Sequence, residues 1–230
     1  MSVFLLSPAW RQQQKDVQAT IVKVVKDVKK KGPTTGWQEA IGGNQLSSGY
    51  SLRTEQGSFA MIKFPDETKI IVRQNSVVEI KGQVQGRQIL DRSVHMQKGD
   101  LAFDVRKQEK EQFRFSSPIS VASIRGTKGG FTSDLDLKLD QLIISEGLAT
   151  LLNLISRVSQ DIGSGKIGIS YGDGKIEVNT ANTQQLNLGD INNTGQGGGT
   201  SGQQKTKKSL RIPGEDKDGN KKTIIFEWEE

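Results

Sequence analysis

The 230-residue chain contains no cysteine and a single histidine, His95. Without cysteine it can form no disulfide, no thiol nucleophile and no cysteine-based zinc or iron–sulfur site. One histidine also argues against a histidine-based metal site and against a histidine-dependent catalytic triad. Apolar runs are short, and none approaches the ~20 residues that a membrane-spanning helix needs. These absences predict a protein that is not an enzyme, binds no metal or cofactor and does not span a membrane.

Positive charge is concentrated near the N-terminus. Of the net charge of +6, residues 11–31 carry +5, because they contain seven Lys or Arg and two Asp. Such a stripe suits phosphates or anionic lipid, but the basic run 26–32 has no aromatic residue that could stack on a base. We therefore expect a solvated strand end that protects a sheet edge, and no nucleic-acid partner.

Short β-branched and apolar segments recur along most of the chain, bounded by Gly, Asp, Pro or Asn. Residues 17–28 alternate roughly with a period of two, and similar segments follow as far as residue 145. Regular short strands separated by turns predict an all-β fold, either a twisted solenoid-like stack or a sandwich. The expected inward residues are Phe59, Ile62, Phe64, Ile70, Val72, Val77, Ile80, Phe103, Val105, Phe113, Phe115, Val121, Ile124, Ile143 and Ile144.

Two segments have more than one interpretation. The apolar residues of 147–163 fall near helical spacing and predict a single helix, while 150–155 also fits a strand. The run 134–140 predicts a strand with Asp134, Asp136 and Asp140 on a solvated face and its leucines inward. Oxygen-rich calcium binding is the second interpretation of that run.

Changes in composition divide the chain into four segments. Residues 1–15 form an apolar start, interpreted as a signal-peptide remnant or as a donated strand. Residues 16–155 form the main β domain. A Gly/Asn/Gln-rich β extension and linker follows over 156–205, with a hairpin turn at 172–174. Residues 206–230 predict a C-terminal β-hairpin.

From Trp37 to about Leu151 the order of motifs resembles the FecR-type domain of bacterial envelope proteins. The resemblance rests on residues 37–80 and on 99-GDLAFDV-105, 118-PISVASIRGT-127 and 142-LIISEGLATL-151. The chain departs from the family pattern where Lys128-Gly129-Gly130 intervenes before the next apolar strand. The matching positions, for which the resemblance implies a structural role, are Trp37, Gly49, Thr54, Gly99, Asp100, Phe103, Asp104, Val105, Pro118, Arg125, Gly126, Thr127, Glu146 and Gly147.

The resemblance implies a non-enzymatic binding or signalling module of the bacterial envelope, periplasmic or extracellular. It would dock protein or glycan partners through exposed strand edges. The anti-sigma and transmembrane segments of classical FecR regulators are not evident, so a sigma regulator is not implied by itself. The alternative is a secreted structural subunit that self-assembles into a fibre or surface layer by strand pairing or donation. The sequence leaves open whether the chain forms a homo-oligomer or polymer.

Overall fold

A computed structural model of the chain describes residues 17–85, 88–107, 113–192, 207–215 and 221–229. The apolar segment expected over residues 1–15 lies outside these ranges. The chain divides into two compact units, Met1–Gly195 and Gln196–Glu230.

The first unit contains seventeen strands and one short helix among its described residues. The strands are β1 Val17–Val25, β2 Val28–Lys31, β3 Trp37–Glu39, β4 Gln45–Ser47, β5 Ser51–Thr54, β6 Phe59–Lys63, β7 Lys69–Val72, β8 Val77–Gln85, β9 Gln88–Val105, β10 Phe113–Ser116, β11 Ser120–Ile124, β12 Thr127–Asp134, β13 Leu139–Glu146, β14 Leu148–Asn153, β15 Ser159–Gly163, β16 Lys166–Tyr171 and β17 Ile176–Thr180. The helix, α1, spans Thr183–Leu188. In the second unit, β18 Lys207–Glu215 and β19 Lys221–Glu229 pair antiparallel, where the sequence predicts a hairpin.

The seventeen strands form two layers. Sheet A has the order β4-β1-β6-β7-β9-β12-β13-β16-β17. Sheet B has the order β3-β2-β5-β8-β9-β10-β11-β14-β15. The long strand β9 joins them, since residues 88–98 pair in sheet B and residues 99–105 pair in sheet A. Among the described strands only β9 and β10 pair in parallel. The all-β prediction is confirmed.

The chain crosses repeatedly between the sheets, and each fully described crossing contains a residue with positive φ. Gly99, inside β9, shows why glycine is needed at the tightest of them. Its φ is +106°, and a Cβ there would lie 2.2 Å from the Ser76 Oγ atom and 2.5 Å from the Ser76 Cα atom. Only glycine avoids both the backbone strain and the collision. The crossing residues are Lys26, Gly43, Gly49, Gly57, Asn75, Gly99, Gly126, Gly147 and Gly165.

Phenylalanine side chains join the inner faces of the two sheets. Phe103 of sheet A stacks on Phe115 of sheet B with ring centroids 4.7 Å apart, and Phe131 follows at 6.2 Å from Phe115. Phe64 meets Phe113 edge to face at 5.0 Å. Such contacts add about 0.5–1.5 kcal/mol each beyond the area that they bury. They make one continuous core along the stack of strands.

Four of the expected inward residues lie elsewhere. Phe59 is buried outside the main core, with Lys23 Nζ 5.3 Å from its ring centroid, while its neighbour Ala60 faces the core. Val77 and Val121 are half-buried, and Ile143 belongs to a separate small cluster on the outer face of sheet A. Each has an apolar neighbour, Val78, Ala122 or Ile144, that faces the core instead. Where two apolar residues are adjacent, the sequence does not reveal which one points inward.

Of the two interpretations of 147–163, the structure shows the strand and not the helix. Residues 148–153 and 159–163 are strands β14 and β15, which pair with each other. Ala149 and Leu151 point into the core, while Leu148 and Ile155 are exposed. Helical spacing groups Leu148, Leu151 and Leu152, whereas a period of two places Ala149, Leu151 and Asn153 on one face. Pairing of β14 with β11 produces the second arrangement.

The strand expected over 134–140 is also wrong. Residues 135–138 form the turn between β12 and β13, and the Asp134 side chain accepts two backbone N–H groups of that turn. Leu135 and Leu137 are therefore exposed rather than inward. Asp140 was expected on a solvated face, but it is fully buried between the sheets.

The helix α1 lies in the segment expected as a β extension. Its sequence signal is a capping box, in which Asn182 Oδ1 accepts the Gln185 N–H at 2.9 Å and Gln185 Oε1 accepts the Asn182 N–H at 2.8 Å. The hairpin turn predicted at 172–174 lies between β16 and β17, where Gly174 has φ +101°. No helix within the described residues combines the length and apolarity that a membrane crossing needs.

A polar cluster closes the core around Asp140. Its carboxylate accepts hydrogen bonds from the hydroxyls of Ser117 and Ser120, which belong to the opposite sheet. Nearby, Asn153 Nδ2 donates to Ser170 Oγ at 2.8 Å. Burial raises the pKa of Asp140 above its ordinary value, against the hydrogen bonds from the serine hydroxyls, which lower it. The cluster therefore ties the two sheets together with one group that is costly to ionise.

We expect Asp140→Asn to weaken the pH dependence of stability. A folded-state pKa above the unfolded value of about 3.9 means that the stability contributed by this group is fully present below that pH. It is lost as the pH rises through the folded-state pKa. The urea midpoint of the variant, measured between about pH 4 and pH 8, should therefore gain on the wild type as the pH rises. Asp136→Asn, at an exposed turn residue, is the control, and parallel curves for wild type and Asp140→Asn would contradict the expectation.

Candidate binding edge

The two ends of the sandwich differ in how their edge strands are protected. At one end lie β3 and β4, which have three residues each. At the other end lie β15 and β17, which have five residues each. Exposed edge strands are sites where another strand can add, and natural proteins protect them by shortening, bulging or covering. The comparison of the two ends therefore identifies which one can receive a partner.

The β3–β4 end is covered by the chain itself. The loop between these strands crosses the end of the sandwich and bonds to β1 and β2: Ala40 N–H donates to Val28 O at 2.9 Å and Gly43 N–H donates to Ile21 O at 2.8 Å. The pairing of β1 with β4 also shifts register after Val17. Short strands, an irregular ladder and a bonded loop make this end a poor template for a further strand.

The β17 edge of sheet A is a regular ladder with one side unpaired. Tyr171 N–H donates to Lys175 O and Ala181 N–H donates to Gly165 O, both at 2.9 Å. These bonds fix the register, so residues 175, 177, 179 and 181 direct their backbone groups toward β16. Ile176, Val178 and Thr180 direct their N–H and C=O groups away from the sheet. Among the described strands, β17 pairs with β16 alone.

The β15 edge of sheet B has the same character. Asn153 N–H donates to Val158 O at 2.9 Å, which directs the backbone of Ser159, Asp161 and Gly163 away from β14. The side chains of residues 159–161 are exposed. The two edges lie at the same end of the sandwich, and we name them together the open edge (residues 159–163 and 176–180).

Side chains at the end of β16 and the start of β17 contact one another at this edge. Lys175 Nζ lies 2.5 Å from a Glu177 carboxylate oxygen, and the Tyr171 hydroxyl donates to Glu177 at 3.1 Å. Burial, together with the Glu177 charge, raises the pKa of Tyr171 to about 12, so the phenol stays protonated and keeps donating. Val178 is 40% exposed. The β17 part of the open edge thus has its side chains held by these contacts and an exposed apolar residue, Val178, at its centre.

The sequence-predicted family positions are spread along the stack and do not converge on one site. Gly49, Gly99, Gly126 and Gly147 are crossing residues, and Thr127 bonds the neighbouring Arg125 and Leu148 carbonyls. The buried hydroxyl of Thr54 donates to the Arg73 carbonyl, while Asp100 Oδ1 accepts the Thr132 hydroxyl at 2.6 Å.

The remaining positions have separate environments. Phe103 and Val105 are core residues, and Pro118 is exposed in the β10–β11 turn. Asp104 pairs in register with Lys128, whose Nζ lies 2.6 Å from Glu146. Trp37 is exposed on β3 under the Arg53 guanidinium, 4.9 Å from the ring centroid.

His95 and its charged neighbours are paired within the sheets. His95 is half-buried in β9, where its Nδ1 lies 3.1 Å from the Ser116 Oγ and burial lowers its pKa. Glu79 pairs with it in register but makes an ion pair with Lys81 at 3.5 Å. No group of three or more His, Asp or Glu side chains within the described ranges is placed to hold a metal ion.

The family comparison agrees with the resemblance seen in the sequence. A family model described as FecR protein matches residues 50–148. These residues span strands β5 to β13 and include every crossing from Gly57 to Gly147 that the structure describes. Residues 50–148 form a FecR domain. Strands β15, β16 and β17 follow this domain, so the open edge is added to it by the residues after 148.

Solved structures share the fold. Two crystal structures of a protein provisionally assigned as an anti-sigma factor, from Parabacteroides distasonis ATCC 8503, match with a TM-score of 0.50 and 15% identity. The match covers 58% of this chain and 61% of the solved chain. At this identity the similarity concerns the fold alone. No curated protein matches the chain.

Alanine substitutions at two crossing glycines of the first unit should show how much stability is lost to a steric collision and how much to backbone strain. Gly99→Ala combines a φ of +106° with a Cβ 2.2 Å from Ser76 Oγ, and it should cost about 3 kcal/mol or more of the free energy of unfolding. Gly165→Ala has φ +72° and open space around the new Cβ, so it should cost about 1 kcal/mol. Urea unfolding of both variants measures the difference, and equal losses would contradict this account.

Proposed function

We propose that this protein is a non-enzymatic binding module of a bacterial signalling or regulatory system. The FecR domain supports a regulatory role, as does the anti-sigma assignment of the structurally similar protein. The observation that carries the proposal is the open edge. Here each of the two sheets ends in a regular strand that is paired on its inner side and unpaired on its outer side. Its partner is a protein that contributes an extended strand to this edge. Main-chain hydrogen bonds supply affinity in such complexes, and alternate side chains supply specificity.

The geometry of β17 suits strand addition better than the rest of the described surface. Three residues, Ile176, Val178 and Thr180, present their backbone groups outward over the length of one strand. They are β-branched, a type that favours extended backbone. Proline, glycine and lysine, which natural edges use to discourage pairing, are absent from residues 176–180. A partner strand would continue sheet A from β17.

We further propose that the module works outside the cytoplasm. The envelope association of FecR-like proteins supports this location, and the absence of cysteine suits an oxidising compartment. Fractionation of the native organism tests it. Recovery of the chain with periplasmic or extracellular markers is the expected result, and recovery with cytosolic markers would overturn this part of the proposal.

Partner identification uses a photo-crosslinking amino acid at position 178. Introduced into the full chain in its native organism, it should link to one heterologous protein through the open edge. The same amino acid at Glu39 is the matched control, since the register of β3 also directs the Glu39 backbone away from its sheet. Equal crosslinking at both positions would argue against a defined edge.

Binding of the purified partner then tests the edge itself. Val178→Pro removes the outward N–H group at a position where an edge strand tolerates proline. We expect it to weaken binding about tenfold or more, because a main-chain hydrogen bond and its neighbours contribute about 1.4 kcal/mol. Glu39→Pro removes an outward N–H group at the covered end and should leave binding unchanged.

Light scattering coupled to size exclusion separates the proposal from self-assembly. A 25 kDa monomer with edge-dependent binding is the expected result. Regular polymers of the full chain that disappear in Val178→Pro would overturn the proposal in favour of a structural subunit. Full binding by Val178→Pro would equally sink the open edge as the docking site.

A further inference from the structure

The segment after β17 turns back across the outer face of sheet A. We call residues 181–190 the strap. Ala181 and Leu186 pack against Ile143 and Ile167, which lie on the face opposite the main core. Gly189 is buried, and a Cβ on it would lie 3.1 Å from the Gly129 Cα atom. The strap therefore runs from the last strand of the sheet across β16 and β13 to β12.

The strap covers the Gly130, Ile143 and Ile167 part of a longer cross-strand row of small and apolar residues. In register, neighbours across five strands of sheet A face outward together. Their side chains are almost completely buried, although the outer face of a two-layer sandwich is ordinarily solvated. We call these residues the outer row: Ile71, Ala102, Gly130, Ile143 and Ile167.

Glycine in the middle of the row makes room for the strap. A Cβ on Gly130 would lie 3.2 Å from Leu188 O and 3.3 Å from the Gly189 Cα atom. Neither Gly130 nor Gly189 has a positive φ, so backbone conformation does not require glycine at these positions. Glycine inside a strand weakens it and marks a bulge, a bend or the close approach of another backbone. The register shift lies between Lys128 and Gly129, and the strap backbone lies against Gly130. Gly129-Gly130 is also the place where the sequence departs from the FecR pattern.

Arg73 completes this surface by holding the strap backbone. Its Nη2 donates to Leu188 O at 2.9 Å and to Asp190 O at 3.2 Å. Both acceptors are main-chain carbonyls, so Arg73 recognises the peptide backbone of the strap and not a particular side chain. Burial lowers the pKa of Arg73 below its ordinary value, and the charges of Asp100 and Asp190 oppose that shift. An acidic residue after the glycine therefore fits this end.

The strap is only lightly held. Its helix has six residues, far below the length at which an isolated helix is stable in water. Leu186 is half-buried and Leu188 is 44% exposed. Segments with few buried contacts open locally at a small fraction of the global unfolding free energy. The strap can therefore leave the outer row while the sandwich stays folded.

We infer that the outer row is a peptide-binding groove, occupied in this structure by the chain's own strap. Its partner is a peptide with the chemistry of the strap: a leucine in a short helical turn, then a glycine three residues later and an acidic residue after it. Such a peptide binds by displacing the strap, which makes the strap an autoinhibitory latch. This inference does not rest on the open edge, because it uses the outer face of sheet A.

The test measures binding in trans to the full chain. The probe is a fluorescent peptide with the sequence of residues 181–192, ANTQQLNLGDIN, followed by anisotropy. In the wild type the tethered strap competes at an effective concentration in the millimolar range, so the peptide binds weakly. Leu186→Ser in the protein weakens the strap in cis, while the peptide keeps its leucine. The affinity of this variant for the peptide should rise about tenfold, as expected when a competing segment is released.

Controls separate groove binding from general loosening. Leu188→Ser changes an exposed leucine of the same helix and should leave peptide affinity at the wild-type level. Adding Gly130→Val to Leu186→Ser fills the groove and should abolish binding. A peptide with Gly189→Val should fail against Leu186→Ser, which tests the same contact without altering the protein.

Hydrogen exchange on the same proteins closes the test. Leu186→Ser should lose protection at residues 181–190 and keep it in β13 and β16. Unchanged protection of the strap would overturn the latch. An open strap without tighter peptide binding, or binding insensitive to Gly189→Val in the peptide, would overturn the groove. Val178→Pro should bind the peptide as its parent does, so failure of the groove and failure of the open edge are distinguishable.

Discussion

The fold depends on a backbone constraint at the places where the chain passes from one sheet to the other. A strand that leaves one layer and enters the other must reverse its pleat within two or three residues, and a left-handed residue provides that reversal. Each fully described crossing contains one, and most are glycines. From β5 onward each passage adds its next strand beyond the previous one, so the two sheets grow together in one direction, while β3 and β4 lie on the other side of β2 and β1. The direction of growth, in turn, defines a first end and a last end.

The two ends differ in whether the chain covers their edge strands. At the first end, the β3–β4 loop bonds back to β1 and β2 and covers the edge. At the last end, the chain leaves β17 and folds over the outer face of sheet A, so the strap does not cover the edge strand that precedes it. One segment therefore determines two surfaces: it leaves the open edge unpaired and it occupies the outer row. The outer row and the β17 part of the open edge both lie on sheet A, but they differ in chemistry, since the edge offers backbone groups and the row offers apolar side chains.

Much of this arrangement was predictable from particular residues. Alternation in 17–28 and the turn residues around short apolar segments predicted strands. The FecR-like motifs implied a structural role for Gly99, Gly126 and Gly147, without indicating that the chain passes between two sheets there. In adjacent apolar pairs such as Val77-Val78, the sequence did not show which of the two side chains faces the core. The leucines of β14 fall near helical spacing, and pairing with β11 produced the strand. The strap helix had a readable capping box at Asn182 and Gln185, but nothing in that signal says where the helix packs.

The sequence by itself determined the all-β class, the succession of short strands along the chain and the resemblance of the central domain to FecR, since these follow from local composition, turn residues and spacing. Only the tertiary structure decided which strand edges remain unpaired, that Asp140 is buried instead of solvated, and that Gly130 faces the strap. These properties depend on residues brought together across the two sheets from distant positions, as Arg73 and Asp190 are. Local pattern carries information about a strand and its faces, whereas an edge or a groove exists only after the strands have paired.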